Sequence, residues 1–295
     1  MQTTDASLAR AIRLAAACVA GALVAGCSAP SHPDMTVPPI PDGPGGPGGP
    51  GGTSGDGGLD GGTSGSCTPA PGQTAGTPGL GAHTLAFYGV GDDTNLAPLF
   101  SPAMTTQSSG STIVLGIGRG NKALFAAPPV DNKNNLSYPR CGAAQQYPLS
   151  TDSATAVYAL PAATGGAGFQ VKALNGMNTG GNTDEITMFT VEIAASVGVT
   201  DVQWLATTSA AQPATTRSVT TTGPATLISF WWGDSTAVNS VATDNGFTVI
   251  DQQLLAQKNV QGAVAVKSVA AAGTYSVTWT VDPAQPAQLW LVAAQ

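Results

Sequence analysis

Few residues in this chain are equipped for acid, base or metal chemistry, and their spacing decides how much they can do. Only two histidines occur, His32 and His83. A Ser-His-Asp arrangement would have to be built on His83, and no Gly-x-Ser-x-Gly turn accompanies it. The expected role of His83 is therefore an exposed turn residue at the domain edge. Neither histidine nor cysteine recurs at the spacings of a tetrahedral zinc site, and no cofactor is expected. Glutamate occurs twice, Glu185 and Glu192, in one expected strand whose alternation puts them on opposite faces. A glycosidase instead brings two carboxyl groups within about 5 to 9.5 Å of each other. Glu192, among Phe189, Val191 and Ile193, is expected to face solvent or to meet a partner such as Lys172. Either glutamate paired with an aspartate from another strand would reopen hydrolysis.

Two oxygen-rich loops, Asp92-Asp93-Thr94-Asn95 and Asp131-Asn132-Lys133-Asn134-Asn135, have the ligand type that calcium takes, which makes Asp92, Asp93 and Asp131 its candidates. The competing reading is turn chemistry, in which an Asx side chain caps its own backbone and tolerates left-handed geometry. Trp231 and Trp232 are adjacent in an expected strand, so one indole turns inward and the other outward. A shift of the chain by 113 residues brings Arg119 onto Trp232, which marks Trp232 as the outward ring. An exposed indole stacks on a sugar face or on a partner protein, and this pair is the candidate ligand-binding surface.

Past residue 83, short runs rich in Val, Ile, Thr, Phe, Tyr and Trp alternate with Gly, Pro, Asn and Asp clusters, a pattern of strands and turns. The one helical competitor is Asp251 to Lys258. The same 113-residue shift aligns Gly110 with Gly223, Leu115 with Ile228, Ile117 with Phe230, Gly120 with Gly233, and Asp131-Asn132 with Asp244-Asn245. The repeat covers about 103–194 and 216–295. Each copy reads as about five strands unable to bury their own apolar face, so the two are expected to face each other.

This order of strands and turns resembles the jelly-roll and concanavalin-like sandwiches of exported bacterial proteins. The resemblance implies an all-β antiparallel sandwich, residues 83–295, built from two similar halves in a single sandwich; tandem immunoglobulin-like sandwiches are the alternative. It implies fold rather than function.

The N-terminus has a different composition. Arg10 and Arg13 precede an uncharged run, Leu14 to Gly26, with the layout of an export signal and too short to span a bilayer. It ends in Leu23-Val24-Ala25-Gly26-Cys27, which resembles the bacterial lipobox. The resemblance implies that residues 1–26 are a cleaved signal peptide, that Cys27 carries the lipid, and that the protein sits in the cell envelope, with Ser28 favouring the outer membrane. Residues 27–82 read as a disordered tether: residues 41–80 hold 16 of the 38 glycines and almost nothing able to bury apolar area. As a coil of about 50 residues it reaches roughly 40 Å. The remaining cysteines, Cys67 and Cys141, are candidates for a disulfide in an oxidising compartment.

Charged residues make up 9% of the chain and the net charge is -7. Scattered lysines and arginines exclude nucleic acid as a partner. The favoured role is a non-enzymatic module, held to a membrane by its lipid, that binds a glycan or an envelope protein. A structural lipoprotein without a soluble ligand and a carboxylate-dependent polysaccharide hydrolase are the alternatives. Mass spectrometry of the protein from its native envelope is expected to find an acylated Cys27 at the N-terminus; an unmodified residue there, or a retained leader, would overturn the assignment.

Overall fold

The computed structural model describes residues 67–69, 73, 76–91, 96–147, 149–177, 181–208, 213–233, 238–254 and 260–295. The leader, Cys27, most of the expected tether, Asp92 and Asp93 lie outside them. In chain order a first half contains β1 (Gly79–Tyr88), β2 (Leu99–Phe100), β3 (Ser111–Arg119), β4 (Val130–Asp131), β5 (Gln145–Gln146), β6 (Ala154–Ala163), β7 (Val171–Ala173) and β8 (Ile186–Ala194). A second half contains β9 (Val199–Thr207), β10 (Ala214–Thr215), β11 (Val219–Thr221), β12 (Ala225–Gly233), β13 (Ser240–Thr243), β14 (Thr248–Gln253), β15 (Gly262–Val269), β16 (Gly273–Tyr275), β17 (Thr278–Asp282) and β18 (Ala287–Ala294). Among the described residues the only helical element is a 3-10 turn at Lys122–Ala126.

All pairings in the ladders are antiparallel. In the first half a five-stranded sheet runs β1-β8-β3-β6-β5 and a three-stranded sheet β2-β7-β4. The second half repeats this order, with β9-β18-β12-β15-β14 and β10-β17-β13, and adds the ribbon β11-β16. Each half is thus a jelly roll with a core of its own between its large and small sheets. Leu115, Ile117, Tyr158, Phe169 and Met188 fill the first core. Leu227, Trp231, Trp279, Leu289 and Leu291 fill the second.

The outer faces of the two large sheets then pack on each other. This seam buries Val114, Val157, Phe189 and Ile193 from the first half against Ile228, Phe230, Trp232, Val264 and Trp290 from the second. β3 and β18 are in consequence buried along their whole length. Strands covered on both faces lose the alternation of apolar and polar residues and read as near-continuous apolar runs.

The expectation of an all-β, jelly-roll-like sandwich of two similar halves holds, with one correction to its plan. The halves do face each other, but neither is an open five-stranded face, since each carries a small sheet of its own. Those small-sheet strands are two to five residues long, too short for a period of two to register in the sequence. The fold also begins ahead of His83, because β1 starts at Gly79 and Cys67 is already buried. Asp251, at the head of the helical competitor, lies in β14.

The alignment of the halves needs a second correction. In the central strands, Val114 faces the seam as Ile228 does, while Leu115 and Leu227 point into their own cores. The structural match is therefore one residue out of step with the 113-residue shift. A slip of one residue in a strand moves every side chain to the other face, and the inference about Trp232 inherited that error.

At the seam, Gly116 and Gly118 of β3 lie under Phe230 and Trp232 of β12. A Cβ on Gly116 would stand 2.5 Å from Phe230 Cε1, and one on Gly118 would collide with Trp232 Nε1. Phe230 and Trp232 stack at 5.4 Å between ring centroids, with Phe189 at 6.0 and 6.1 Å from them. Matching hydrogen bonds tie the rest of the seam. Thr112 Oγ1 donates to Ser196 O in the lead-in to β9, and Thr226 Oγ1 donates to Pro78 O in the lead-in to β1, both at 3.1 Å. Trp290 Nε1 donates to Thr155 Oγ1 at 2.8 Å, from the second half to the first.

Cys67 and Cys141 form the disulfide named in the sequence, across a separation of 74 residues. Cys67 thereby reaches both halves: its sulfur is bonded to Cys141 in the first, and its carbonyl accepts from Val199 N at the start of β9.

Filling the glycine groove should separate the halves. Gly116→Val is expected to lower the unfolding free energy by about 1–3 kcal/mol through overpacking against Phe230. Combined with Phe230→Ala, the loss should be smaller than the sum of the two single losses, because the valine occupies part of the vacated space. Strict additivity in denaturant titrations would show that the two positions do not meet.

Candidate functional site

The central strands of both halves end side by side, β3 at Arg119 and β12 at Gly233. The starts of β6 and β18 come to the same place, because neighbouring antiparallel strands bring opposite ends together. The result is a cleft of about 80 Å³ lined by Arg119, Tyr147, Ser150, Ser153, Ala154, Thr155, Glu185, Trp232, Gly233, Val260 and Gln288. Both halves contribute side chains to this concave surface.

Its floor is built on a buried ion pair. Arg119 is 2% exposed, and its Nε and Nη2 donate to Asp184 Oδ2 at 2.8 and 2.7 Å. Nη2 also donates to Leu174 O at 2.8 Å, and the guanidinium lies 5.7 Å from the Phe125 ring centroid. Asp184 is fully buried and accepts from Asn121 N at 2.7 Å through its other oxygen. Burial lowers the Arg119 pKa and raises that of Asp184, and the contact between the two charges opposes both shifts. Glu185, next in the chain, lines the cleft. Burial raises its pKa above the ordinary carboxylate range, and the charge of Asp184 adds to the rise.

Most other polar groups of the lining are engaged within the protein. Thr155 Oγ1 donates to Gln288 Oε1 at 2.8 Å, and Gln288 Nε2 donates to the carbonyls of Gln145 and Gln146. Ser150 Oγ donates to Ser153 Oγ at 3.0 Å. The indole N–H of Trp232 is buried without an acceptor, and the Glu185 carboxyl accepts from its own backbone N–H.

The residues singled out in the sequence are dispersed. Trp231 and Trp232 are 0% and 1% exposed, so neither offers a ring face to solvent. Their alternation is as expected, but Trp231 enters the second core and Trp232 the seam, and both faces of β12 are covered. The candidate binding surface of two adjacent indoles is thus replaced by the edge of one of them in the cleft. Arg119, taken as a polar outward position, points into the first half instead.

Asp131 is a turn cap. Its Oδ1 accepts from Lys133 N at 2.8 Å and Asn134 N at 2.6 Å, and its Oδ2 from Tyr138 Oη at 3.0 Å. Asn135 takes the left-handed geometry at φ 52°. The calcium candidate is filled by protein donors, and burial with the neighbouring Asp131 charge pushes the Tyr138 hydroxyl far up. Asp244, its counterpart by the 113-residue shift, does different work, accepting from Thr278 N at 2.7 Å. Among the described residues no group of three or more His, Cys, Asp or Glu is placed to hold a metal ion.

Glu192 neither faces solvent nor meets Lys172. It is 2% exposed and accepts from Ala82 N, Gln107 N and Ser111 Oγ at 3.0, 2.7 and 2.6 Å. That arrangement ties β1 and the lead-in of β3 to β8. His83 is a strand residue rather than a turn: its Nδ1 lies 2.8 Å from Asp251 Oδ2 in β14, linking the two halves at the edge of the seam.

Sequence reasoning missed Arg119 and Asp184. A signal was present, since a cation ending one apolar run and two carboxylates opening another are conspicuous in so uncharged a chain. Only the register that sets Arg119 opposite Ile186 brings them together. Neither a family model, nor a curated protein, nor a solved structure matches the chain.

Glu185→Gln removes a charge that the fold desolvates, so the variant is expected to be more stable than the wild type at neutral pH. The folded state holds the Glu185 proton more tightly than the unfolded chain does. Wild-type stability therefore rises as pH falls through the raised folded value toward the ordinary glutamate range, and the gap should close over that window. Denaturant unfolding at a series of pH values measures it; a gap that stays constant would contradict the desolvation of Glu185.

Proposed function

We propose that this chain is an exported lipoprotein, anchored to the envelope through Cys27, that displays its double jelly roll as a non-enzymatic module binding a glycan or an envelope protein. The cleft at the shared end of the two halves carries the binding part of this reading. There, Glu185, Tyr147, Gln288 and the edge of Trp232 from the two halves line one small concave space. Ligand sites are concave and have a few placed polar groups, and a junction between packed sandwiches supplies the concavity.

Binding is favoured over hydrolysis by the state of the second carboxylate. Acid–base cleavage of a glycosidic bond draws on two carboxyl groups, and Asp184 beside Glu185 is fully buried and held by Arg119. The envelope part of the reading rests on the leader, on Cys27 and on the glycine-rich spacer. The Cys67–Cys141 bridge supports it, because disulfides persist in oxidising compartments. No helix among the described residues is long and apolar enough to cross a membrane, and in this reading the lipid provides the attachment.

The full chain, purified in detergent from its own envelope, should show saturable binding to a member of a glycan panel or to a purified envelope protein. Tryptophan emission should change on binding, because Trp232 lines the cleft. Emission indifferent to every glycan and every envelope protein offered would overturn the binding role.

A further inference from the structure

Because the unit is doubled, each surface of one half can be compared with its counterpart in the other. In the small sheets a shared pair of hydrogen bonds fixes the match. Val171 N donates to Ser101 Oγ at 3.0 Å and Ser101 N to Val171 O at 2.8 Å. Val277 N donates to Thr216 Oγ1 at 3.2 Å and Thr216 N to Val277 O at 2.9 Å. With Ser101 set on Thr216, the cross-strand pair Phe100 and Lys172 of β2 and β7 falls on Thr215 and Thr278 of β10 and β17. Val130, beside Lys172 on β4, falls on Asp244, whose N donates to Thr278 O at 3.1 Å. By the same count Leu174 falls on Thr280.

The outer face of the second small sheet is polar, with Thr215, Thr280 and Asp244 exposed and Thr215 Oγ1 lying 3.0 Å from Thr278 Oγ1. The first half places Phe100 and Leu174 there instead, 52% and 43% exposed, with Val130 half-buried. One ammonium, that of Lys172, stands among them. The inward neighbours Leu99, Val171 and Ala173 already fill the first core. The fold does not need apolar residues on the outside, since the same framework carries threonine and aspartate in the other copy. Side chains paired across strands stand about 5 Å apart, so these form one patch, and exposed apolar patches mark surfaces that another molecule covers.

The charge indicates which molecule. Among the described residues no carboxylate lies within ion-pair distance of Lys172, and no hydrogen bond engages its ammonium. An ammonium only donates, so its complement is an acceptor, and a carboxylate held among apolar groups attracts it more strongly than one in water. A membrane surface calls for clusters of Lys and Arg, whereas this chain has a net charge of -7 and offers one cation here. A sugar calls for several placed polar groups, and the next polar side chain along the strand, Gln170, is engaged with Ser101 O at 2.9 Å.

We propose that the outer face of β2, β7 and β4 docks a protein partner presenting a carboxylate between apolar side chains. Lys172 pairs the carboxylate, and Phe100, Val130 and Leu174 cover its flanks. None of these residues lines the cleft, so the docking face stands or falls without it.

The test is to pan a phage-displayed library of random dodecapeptides on the full-length protein in detergent. The enriched peptides are then made synthetically and their affinities measured by fluorescence anisotropy. They should carry Asp or Glu with apolar residues on both sides, and Phe100→Thr and Lys172→Thr should each weaken them at least tenfold. Each replacement installs the residue that the second half already holds at that place, so the thermal transition should not move. Lys172→Glu, panned afresh, should select Lys or Arg in place of the carboxylate. Peptides that bind both threonine variants as tightly as the wild type, or a library that yields no acidic peptides, would overturn the docking face and leave the cleft untouched. The full chain carrying Cys27→Ser, free of the acyl site, should not sediment with phosphatidylglycerol vesicles. Sedimentation that is lost on adding Lys172→Thr would assign the face to lipid and refute the protein partner. A thermal transition lowered by either threonine replacement would show that the fold needs these side chains for itself and would overturn the docking role.

Discussion

Everything in this protein is arranged around the contact between a bare backbone and a pair of aromatic rings. Gly116 and Gly118 remove two side chains from the middle of β3, and Phe230 and Trp232 of β12 lie in the groove that results. Burying a ring of this size contributes about 1.5–3 kcal/mol, and the missing Cβ atoms are what allow the sheets to approach. Equivalent strands meet across the seam, as in the interface of a twofold dimer. A dimer of identical halves would set glycine against glycine or ring against ring at these positions. Placing small residues in one half and large ones in the other removes both the void and the clash.

The cleft follows from the same contact. Because β3 and β12 run side by side through the seam, they end together, and the cleft lies where they end. Arg119, one residue beyond the last glycine of the groove, turns the other way and meets Asp184. The last interactions of the seam are thus the first features of the candidate site. A buried ion pair contributes little net stability but is expensive to break, so it serves here to fix the position of Glu185 beside it.

The two halves do not divide the polar work evenly. The first supplies the ion pair, Glu185 and the turn capped by Asp131. It also holds Glu192, which gathers three donors around one carboxylate. The second supplies Phe230, Trp232 and Trp290 to the seam and holds all five tryptophans of the chain. The disulfide strap at Cys67 engages both halves, so the chain enters the fold at a point fixed to each of them.

Strand content, the doubling of the unit and the candidate bridge between Cys67 and Cys141 were legible in the residues, because β-branched runs, turn residues and cysteine counts are local properties. So was the expectation that Trp231 and Trp232 point to opposite faces, which alternation alone dictates. What covers those faces is not local. Both indoles are buried because a second sheet lies on each side of β12, and no residue near them in sequence announces it. The register of the repeat failed by one position because gapless alignment rewards matching residue types, whereas the fold conserves which face a side chain takes. Arg119, Asp184 and Glu185 became a site only through the pairing of β3 with β8. The sequence by itself determined what kind of strands form and how many times the unit recurs; tertiary packing decided which side chains are left with something to bind, because burial and pairing depend on strands far apart along the chain.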